Sequence, residues 1–355
     1  MKIEEIEIYS ISVPLKEPFT ISLGTIENAE NVILYIKTDK GLVGYGEAAP
    51  SPRITGDTPE QIINGLKVIK PLLLGKDPSN IPRIEEEIER AMRGNTSMKA
   101  AIDMALLDLK GKTAKMPVYD LLGRYRAAFK TDYTIGINEP KKMAADAIKI
   151  VEQGFDTLKV KVGTGLIKDV ERVARIHDAV GDEITIRVDA NQGWSPKEAV
   201  KTLIEMEKYA IELVEQPVPW WNIEGLKWVR DHVTIPVMAD ESVHSPFDAM
   251  RIIKEGAVDL INIKLMKCGG ITNGLKIAHI AEAAGIECMV GCMVETNVSV
   301  TAASHLVASA RNITRVDLDT SLFLAEEPVE GGVSIKKGRI QIPDTYGLGI
   351  KSVRV

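Results

Sequence analysis

From Thr131 onward the chain is paced by one repeat. Short apolar runs alternate with amphipathic helical stretches at a nearly constant interval. The strand-like runs are Tyr133–Ile137, Thr157–Val162, Thr185–Asp189, Ile211–Glu215, Val237–Asp240, Leu260–Lys264, Glu287–Val290 and Thr314–Asp317. Helical spacing of apolar residues fills Lys141–Gln153, Ile167–Val180, Pro196–Tyr209, Phe247–Lys254, Thr272–Ala284 and Val298–Ala308 between them. Strands alternating with helices make βαβ units and a parallel sheet. Eight such strands can close into a barrel, and 355 residues leave room for a barrel plus an addition. A doubly wound open sheet is the alternative.

Where charges interrupt the apolar runs decides between the two. Lys159 and Lys161 lie on one side of their strand, because side chains alternate with period two. Asp189 and Asn191 close the next strand at the same spacing. Glu215 ends the following one, Asp240 and Glu241 the one after, and Lys264 the next. Lys161 to Asp189 is 28 residues, Asp189 to Glu215 is 26, Glu215 to Asp240 is 25, and Asp240 to Lys264 is 24. Each interval is one βα unit, so a barrel gathers all these side chains at one mouth, where barrel enzymes keep their chemistry. An open sheet would spread them along an edge. A single charge at a strand end is ordinarily a solvated rim; a whole set in step with the repeat is not.

Asp189, Glu215 and Asp240 on adjacent strands would repel one another without a cation. Hard oxygen ligands with room left for substrate suit Mg²⁺. Lys161 and Lys264, on the second and sixth strands, face each other across the barrel and can point two amines at one carbon between them. Lys159 and the metal, as neighbouring cations, favour a neutral Lys161 amine that can act as a base.

The rest of the composition excludes other classes. A net charge of −6 gives no basic surface for nucleic acid. No run of eighteen apolar residues spans a membrane, and MKIEEIEIYS has no apolar signal core, so a cytoplasmic protein is expected. Cys268, Cys288 and Cys292 fit neither a disulfide framework nor a zinc pattern. Before the repeat, β-rich runs at Ile3–Val13, Asn31–Lys37 and Leu42–Glu47 precede helical patterns at Thr58–Leu74, Ile81–Met92 and Ser97–Lys112. Residues 1–125 therefore read as an α+β unit, 126–320 as the barrel, and 321–355 as a β-like tail returning to the first unit. Trp220–Trp221 reads as loop packing on the outer helices or as an oligomer contact.

The motifs Lys159-Val160-Lys161, Asp189-Ala190-Asn191, Glu215-Gln216-Pro217, Asp240-Glu241-Ser242 and Asn262-Ile263-Lys264 make the chain resemble the muconate-lactonizing-enzyme subgroup of the enolase superfamily. The resemblance implies an α/β fold: a modified TIM barrel, (β/α)₇β, with an N-terminal α+β capping domain completed by the tail. It implies one Mg²⁺ per subunit on Asp189, Glu215 and Asp240. Lys161 and Lys264 would be the acid–base pair, with Lys159 facing an ene-diolate. Asn191 and Glu241 would orient these groups.

The subgroup hosts several reactions, and Asp317-Leu318-Asp319 separates them. It looks like the Asp-x-Asp motif of dipeptide epimerases such as L-Ala-D/L-Glu epimerase. Two carboxylates bind the ammonium of a dipeptide by charge-assisted hydrogen bonds and repel a substrate that is only an anion. The bland alternative is that they cap the next segment or pair with Arg315. Thr134, Glu295 and Thr296 fall where the family lines its cleft. Two cap loops, Phe19–Ile26 and Ala49–Thr58, would set specificity. Ala-Glu epimerases carry an arginine in the first; here it holds Gly24 and no cation. Ile21, Leu23, Ile26 and Ile54 would line an apolar pocket, with Arg53 either reaching an acidic side chain or facing solvent.

The expected activity is thus Mg²⁺-dependent epimerisation of the C-terminal residue of a dipeptide, hydrophobic at that position, by two-base 1,1-proton transfer. L-Ala-D/L-Glu epimerase proper, muconate cycloisomerase, o-succinylbenzoate synthase and N-acylamino acid racemase are the alternatives on this scaffold. The expected assembly is a homo-oligomer.

Overall fold

A computed structural model describes all 355 residues. The N-terminal unit is an antiparallel sheet of β1 (Ile3–Ile21), β2 (Gly24–Thr38) and β3 (Val43–Ala48), backed by helices Pro59–Leu73, Ile81–Ala91 and Thr96–Ala114. Thr58 starts the first helix with a capping box: its side chain accepts from Gln61 N, and Gln61 returns the bond, with Pro59 at the first helical position. One expectation fails here. Phe19–Ile26 is no loop but the tip of a hairpin, because Phe19, Thr20 and Ile21 pair with Ile26, Thr25 and Gly24. Thr20 and Thr25 hydroxyls, 2.9 Å apart, tie the two strands just before the Ser22-Leu23 turn.

After β4 (Ala128–Lys130) come eight parallel strands: β5 (Tyr133–Ile135), β6 (Thr157–Lys161), β7 (Thr185–Asp189), β8 (Ile211–Glu215), β9 (Val237–Ala239), β10 (Leu260–Lys264), β11 (Glu287–Gly291) and β12 (Ile313–Asp317). They pair in sequence order, and Asp132 N donates to Val316 O across the remaining gap, so the sheet nearly closes. Seven helical connections join the strands, which gives (β/α)₇β. Ile223–Arg230, a helix of only two turns, and the single turn Leu265–Cys268 directly after β10 have no counterpart among the helices expected from the sequence. Both are too short to build a periodic signal.

Register brings the charges together. Lys161 pairs with Asp189, and Asp189 with Glu215. Lys264 pairs with Gly291, and Gly291 with Asp317. A Cβ on Gly291 would stand 2.9 Å from Asn262 Nδ2 and 3.2 Å from Asp317 Oδ2, so glycine leaves the space those polar groups fill. Deeper in the barrel, Leu213, Met238, Leu260 and Met289 form a small apolar plug separate from the main core.

Two carboxylates of the N-terminal unit dock it on the barrel. Glu47 accepts from Thr296 N and Oγ1 (each 2.8 Å) and Ser299 N (2.9 Å) at the start of helix Asn297–Ser309. Asp103 accepts from Ile271 N (2.5 Å) and Thr272 at the start of helix Ile271–Ala283. A carboxylate at a helix N-terminus meets unsatisfied N–H groups and the positive end of the dipole. The tail divides. Lys16 N donates to Phe323 O, and Tyr35 and Tyr45 hydroxyls donate to Val353 O and Lys351 O, so part of it returns to the N-terminal sheet. Its hairpin of β14 (Ser334–Lys336) and β15 (Arg339–Gln341) instead pairs with β4, while β13 (Val329–Gly331) pairs with β16 (Ile350–Val353). Thr131 N donates to Gly338 O, which sets that hairpin at the N-terminal end of the barrel strands, away from the charged mouth.

Candidate active site

A cavity of about 610 Å³ lies between the barrel mouth and the N-terminal unit. Lys159, Lys161, Asn191, Lys264, Asp317 and Thr134 form its floor. The hairpin tip and Ser51–Ile54 form its roof, with Phe19, Ile21, Leu23, Ile26, Ile54, Met293 and Val294 as apolar lining. Asp189, Glu215 and Asp240 sit fully buried just below that floor.

Ammonium groups lie among the carboxylates. Lys159 Nζ is 2.7 Å from Glu215 Oε2, 3.2 Å from Asp189 Oδ2 and 2.6 Å from Asp317 Oδ2. Lys161 Nζ is 2.6 Å from Asp189 Oδ2 and 3.0 Å from Asn191 Oδ1. Lys264 Nζ is 2.8 Å from Asp240 Oδ2. Burial works against a charged Lys264, but Asp240 outweighs it and holds the ammonium above the ordinary lysine range. Burial, with the charge of Asp189 beside it, pushes Glu215 up to about 7. Glu215 Oε2 has only its ion pair with Lys159 and no well-aligned hydrogen bond. Three buried carboxylates, one with an oxygen so poorly satisfied, fit a hard divalent cation.

Behind the acids stand groups to which the sequence reading gave no role. Lys267 Nζ lies 2.5 Å from Asp240 Oδ1 and also donates to Asp240 O and Asn262 O. Asn262 Nδ2 donates to Glu215 Oε1 (2.8 Å). Gln216 Oε1 accepts from Asp240 N, and its amide donates to Ser242. The signals were there: Asn262 is two residues before Lys264 and so on the same strand face, and Lys267 is three after it. Asn191 joins Lys161 to Glu241, whose carboxyl burial and Asp240 push up to about 8.

At the last strand, Thr134 N donates to Asp319 Oδ2 (2.6 Å) and Thr134 Oγ1 to Asp317 Oδ1 (3.2 Å). Arg315 pairs with Glu212 and Glu287 and leaves the two aspartates alone. Asp317 faces the cavity; Asp319 lies beside it, buried and off the cavity wall. Asp132 joins them, the three carboxylates within 4.8 Å of one another.

Two expected lining residues turn elsewhere. Thr296 is spent on Glu47 and on capping helix Asn297–Ser309, and Glu295 accepts from Met293 N; neither reaches the cavity. Their neighbours Met293 and Val294, three and two residues before the cap, line it instead. Gly24 and Arg53 both line the roof and interlock: a Cβ on Gly24, at φ +138°, would stand 2.2 Å from Arg53 Nη1. Trp220 and Trp221 are 54% and 65% exposed.

Fold and mouth together define a class, the enolase-type barrel enzymes with a capping domain. Residues 3–123 match the mandelate racemase / muconate lactonizing enzyme N-terminal domain, and residues 142–353 match the enolase C-terminal domain-like model. The chain belongs to the mandelate racemase / muconate lactonizing enzyme family. It is 49% identical to the hydrophobic dipeptide epimerase of Enterococcus faecalis, over 99% of each chain. It superposes on a dipeptide epimerase from E. faecalis V583 complexed with Mg and L-Leu-L-Tyr at TM-score 0.97 and 48% identity, over 99% of this chain and 100% of that one. A substrate-liganded L-Ala-D/L-Glu epimerase from Bacillus subtilis gives TM-score 0.98 and 46% identity, over the full length of both.

Proposed function

We infer that this chain is a Mg²⁺-dependent dipeptide epimerase that inverts the α-carbon of the C-terminal residue. The names of the relatives support the reaction class. One observation carries the reading in this chain: Lys161 and Lys264, half a barrel apart on β6 and β10, both line a cavity that Asp317 also lines.

Asp189, Glu215 and Asp240 would hold the metal. When bound, it supplies positive charge against the substrate carboxylate and acidifies the adjacent C–H. Lys161 and Lys264 stand on opposite faces of that carbon; one takes the α-proton from its side and the other gives one back from the far side. Lys159 Nζ meets negative charge as it builds on the carboxylate oxygens. Asp317 and Asp319, braced by Thr134, take the ammonium of the N-terminal residue. Asn191 and Glu241 fix Lys161 from behind.

The C-terminal side chain would lie under the roof, among Ile21, Leu23, Ile26 and Ile54, and this supports hydrophobic residues there. Arg53 across Gly24 supports a second reading, in which the cation for an acidic side chain comes from the other cap segment, as for L-Ala-D/L-Glu substrates. We propose the division 1–125, 126–320 and 321–355 into cap, barrel and returning tail. We also propose a homo-oligomer, supported by the exposed Trp220–Trp221 pair; W220S/W221S should shift its mass in sedimentation.

The deciding experiment follows deuterium. With Mg²⁺ in D₂O, L-Ala-L-Leu should gain one deuterium at its C-terminal α-carbon and yield the L,D epimer, faster than L-Ala-L-Glu. No exchange with any of a broad set of dipeptides would sink the assignment.

A further inference from the structure

The hairpin tip that roofs the cavity straddles one barrel strand. Thr20 O accepts from Ile137 N (2.7 Å), just past the end of β5. Two residues on, Ser22 Oγ donates to Asn191 O (2.8 Å), just past the end of β7. Between them ends β6, the strand of Lys159 and Lys161. The loop after β6 admits the tip through a glycine. A Cβ on Gly163, at φ +100°, would stand 2.3 Å from Ala190 O and 3.2 Å from Ser22 Cβ. The tip is therefore seated on the Lys161 side of the mouth. Lys264, half a barrel away on β10, is held by Asp240, and no residue of the N-terminal unit bonds to it.

The residue that Ser22 reaches is strained. Asn191 has φ +39° and Gln192 φ +71°. Left-handed backbone at two successive residues other than glycine persists only where the surroundings fix it. Three hydrogen bonds do so here. Asn191 N donates to Asp189 Oδ1 (2.9 Å), Gln192 N to Gln216 O (2.8 Å), and Ser22 Oγ to Asn191 O. Only the last comes from the N-terminal unit, and Asn191 O takes no other. The side chain carried by this backbone accepts from Lys161 Nζ at 3.0 Å and donates to Glu241 Oε1 at 3.1 Å.

We propose that Ser22 is a positioning residue for Lys161: by holding the Asn191 carbonyl, it keeps the Asn191 side chain aimed at Lys161 Nζ while the hairpin tip is seated. Ser22 stands between Ile21 and Leu23, both of which line the roof. A C-terminal side chain that packs against these two favours the seated tip. Recognition of the side chain and alignment of one base are thus coupled through consecutive residues. The coupling is one-sided, because it serves the face of the α-carbon that Lys161 attends and not the face of Lys264.

The proposal rests on the dipeptide reading, and the test separates the two. Mg²⁺-loaded protein is incubated in D₂O with L-Ala-L-Leu and, separately, with L-Ala-D-Leu, and NMR follows the initial loss of the C-terminal α-proton from each. The epimer whose exchange Lys161→Ala abolishes is the one that presents its proton to Lys161. Ser22→Ala should slow exchange of that same epimer about tenfold, the worth of one hydrogen bond, and keep the other within about threefold. Added to Asn191→Ala, it should slow that epimer by less than about twofold more, because the two residues act in one chain. Unchanged exchange, or equal losses from both epimers through an unseated roof or a damaged fold, would overturn the role of Ser22 and leave the dipeptide reading standing. A full tenfold loss on the Asn191→Ala background would overturn the route through Asn191. No exchange of any dipeptide by the wild type would overturn both.

Discussion

Lys267 and Lys264 hold opposite oxygens of Asp240. Lys267 Nζ lies 2.5 Å from Oδ1, and Lys264 Nζ 2.8 Å from Oδ2. The two lysines do different jobs by position: Lys264 lines the cavity, whereas Lys267 is sealed at 0% exposure below it. A sealed ammonium with three oxygen partners fixes the rotamer of an acid that a metal would need. Lys267→Ala should therefore destabilise the fold by about 3–5 kcal/mol, the usual cost of breaking a buried pair from one side. Urea unfolding with and without Mg²⁺ measures it, and a loss under 1 kcal/mol would contradict a structural hold.

The cavity lysines separate by stereochemistry. Each of Lys161→Ala and Lys264→Ala should cut epimerisation about 10²–10⁴-fold, the range for losing a positioned acid or base. Each variant should still exchange the α-proton of one epimer with D₂O, and the two should exchange opposite epimers. Exchange of the same epimer by both would place the lysines on one face of the carbon.

The charges were legible in the sequence because strand geometry is simple. A period of two puts Lys159 with Lys161 and Asn262 with Lys264, and a unit of 24–28 residues turns chain spacing into neighbouring strands. What stayed hidden depends on contacts that no period encodes. Thr296 is recruited by Glu47, a residue 249 positions away. Asp132 stands just outside a three-residue strand and joins Asp317 only when the barrel closes. The hairpin at Phe19–Ile26 was hidden because the β-rich run Ile3–Val13 stops at Pro14, whereas that proline opens an irregularity, Pro14–Phe19, in an edge strand that continues.

The acid pair gives a selective loss. Asp319→Asn keeps the side chain's shape and its Thr134 contact but removes the charge. It should lower kcat/KM for L-Ala-L-Leu about 10- to 150-fold, the 1.5–3 kcal/mol of one hydrogen bond to a charged group. The N-acetylated dipeptide should lose less than threefold in the same assay. Equal losses would show that Asp319 supports the fold instead of the ammonium.

Specificity should follow the roof. Ile54→Ala removes apolar surface from the pocket without touching the floor, so L-Ala-L-Leu should lose about 1–2 kcal/mol, or 5- to 30-fold in kcat/KM, relative to L-Ala-L-Ala. Arg53→Met should leave L-Ala-L-Leu within about threefold and lower L-Ala-L-Glu tenfold or more if the guanidinium reaches an acidic side chain. Steady-state kinetics on these three dipeptides checks both variants.

Acid stability reports on a histidine far from the chemistry. His305 is fully buried in helix Asn297–Ser309; its Nδ1 accepts from Tyr119 N at 3.0 Å, and its ring stacks on Tyr119. Burial lowers it to about 4 from its ordinary 6.5. Between those values the unfolded chain binds a proton that the folded one refuses, so stability declines as pH falls from 6.5 to 4. The histidine accounts for about 3 kcal/mol of that decline, fully present above 6.5 and gone below 4. His305→Gln keeps an acceptor for Tyr119 N and removes the titration. Its urea midpoint should start lower at pH 7.5 yet fall less by pH 4.5 than the wild type's. Parallel acid limbs in the two proteins would show that other groups set the acid sensitivity.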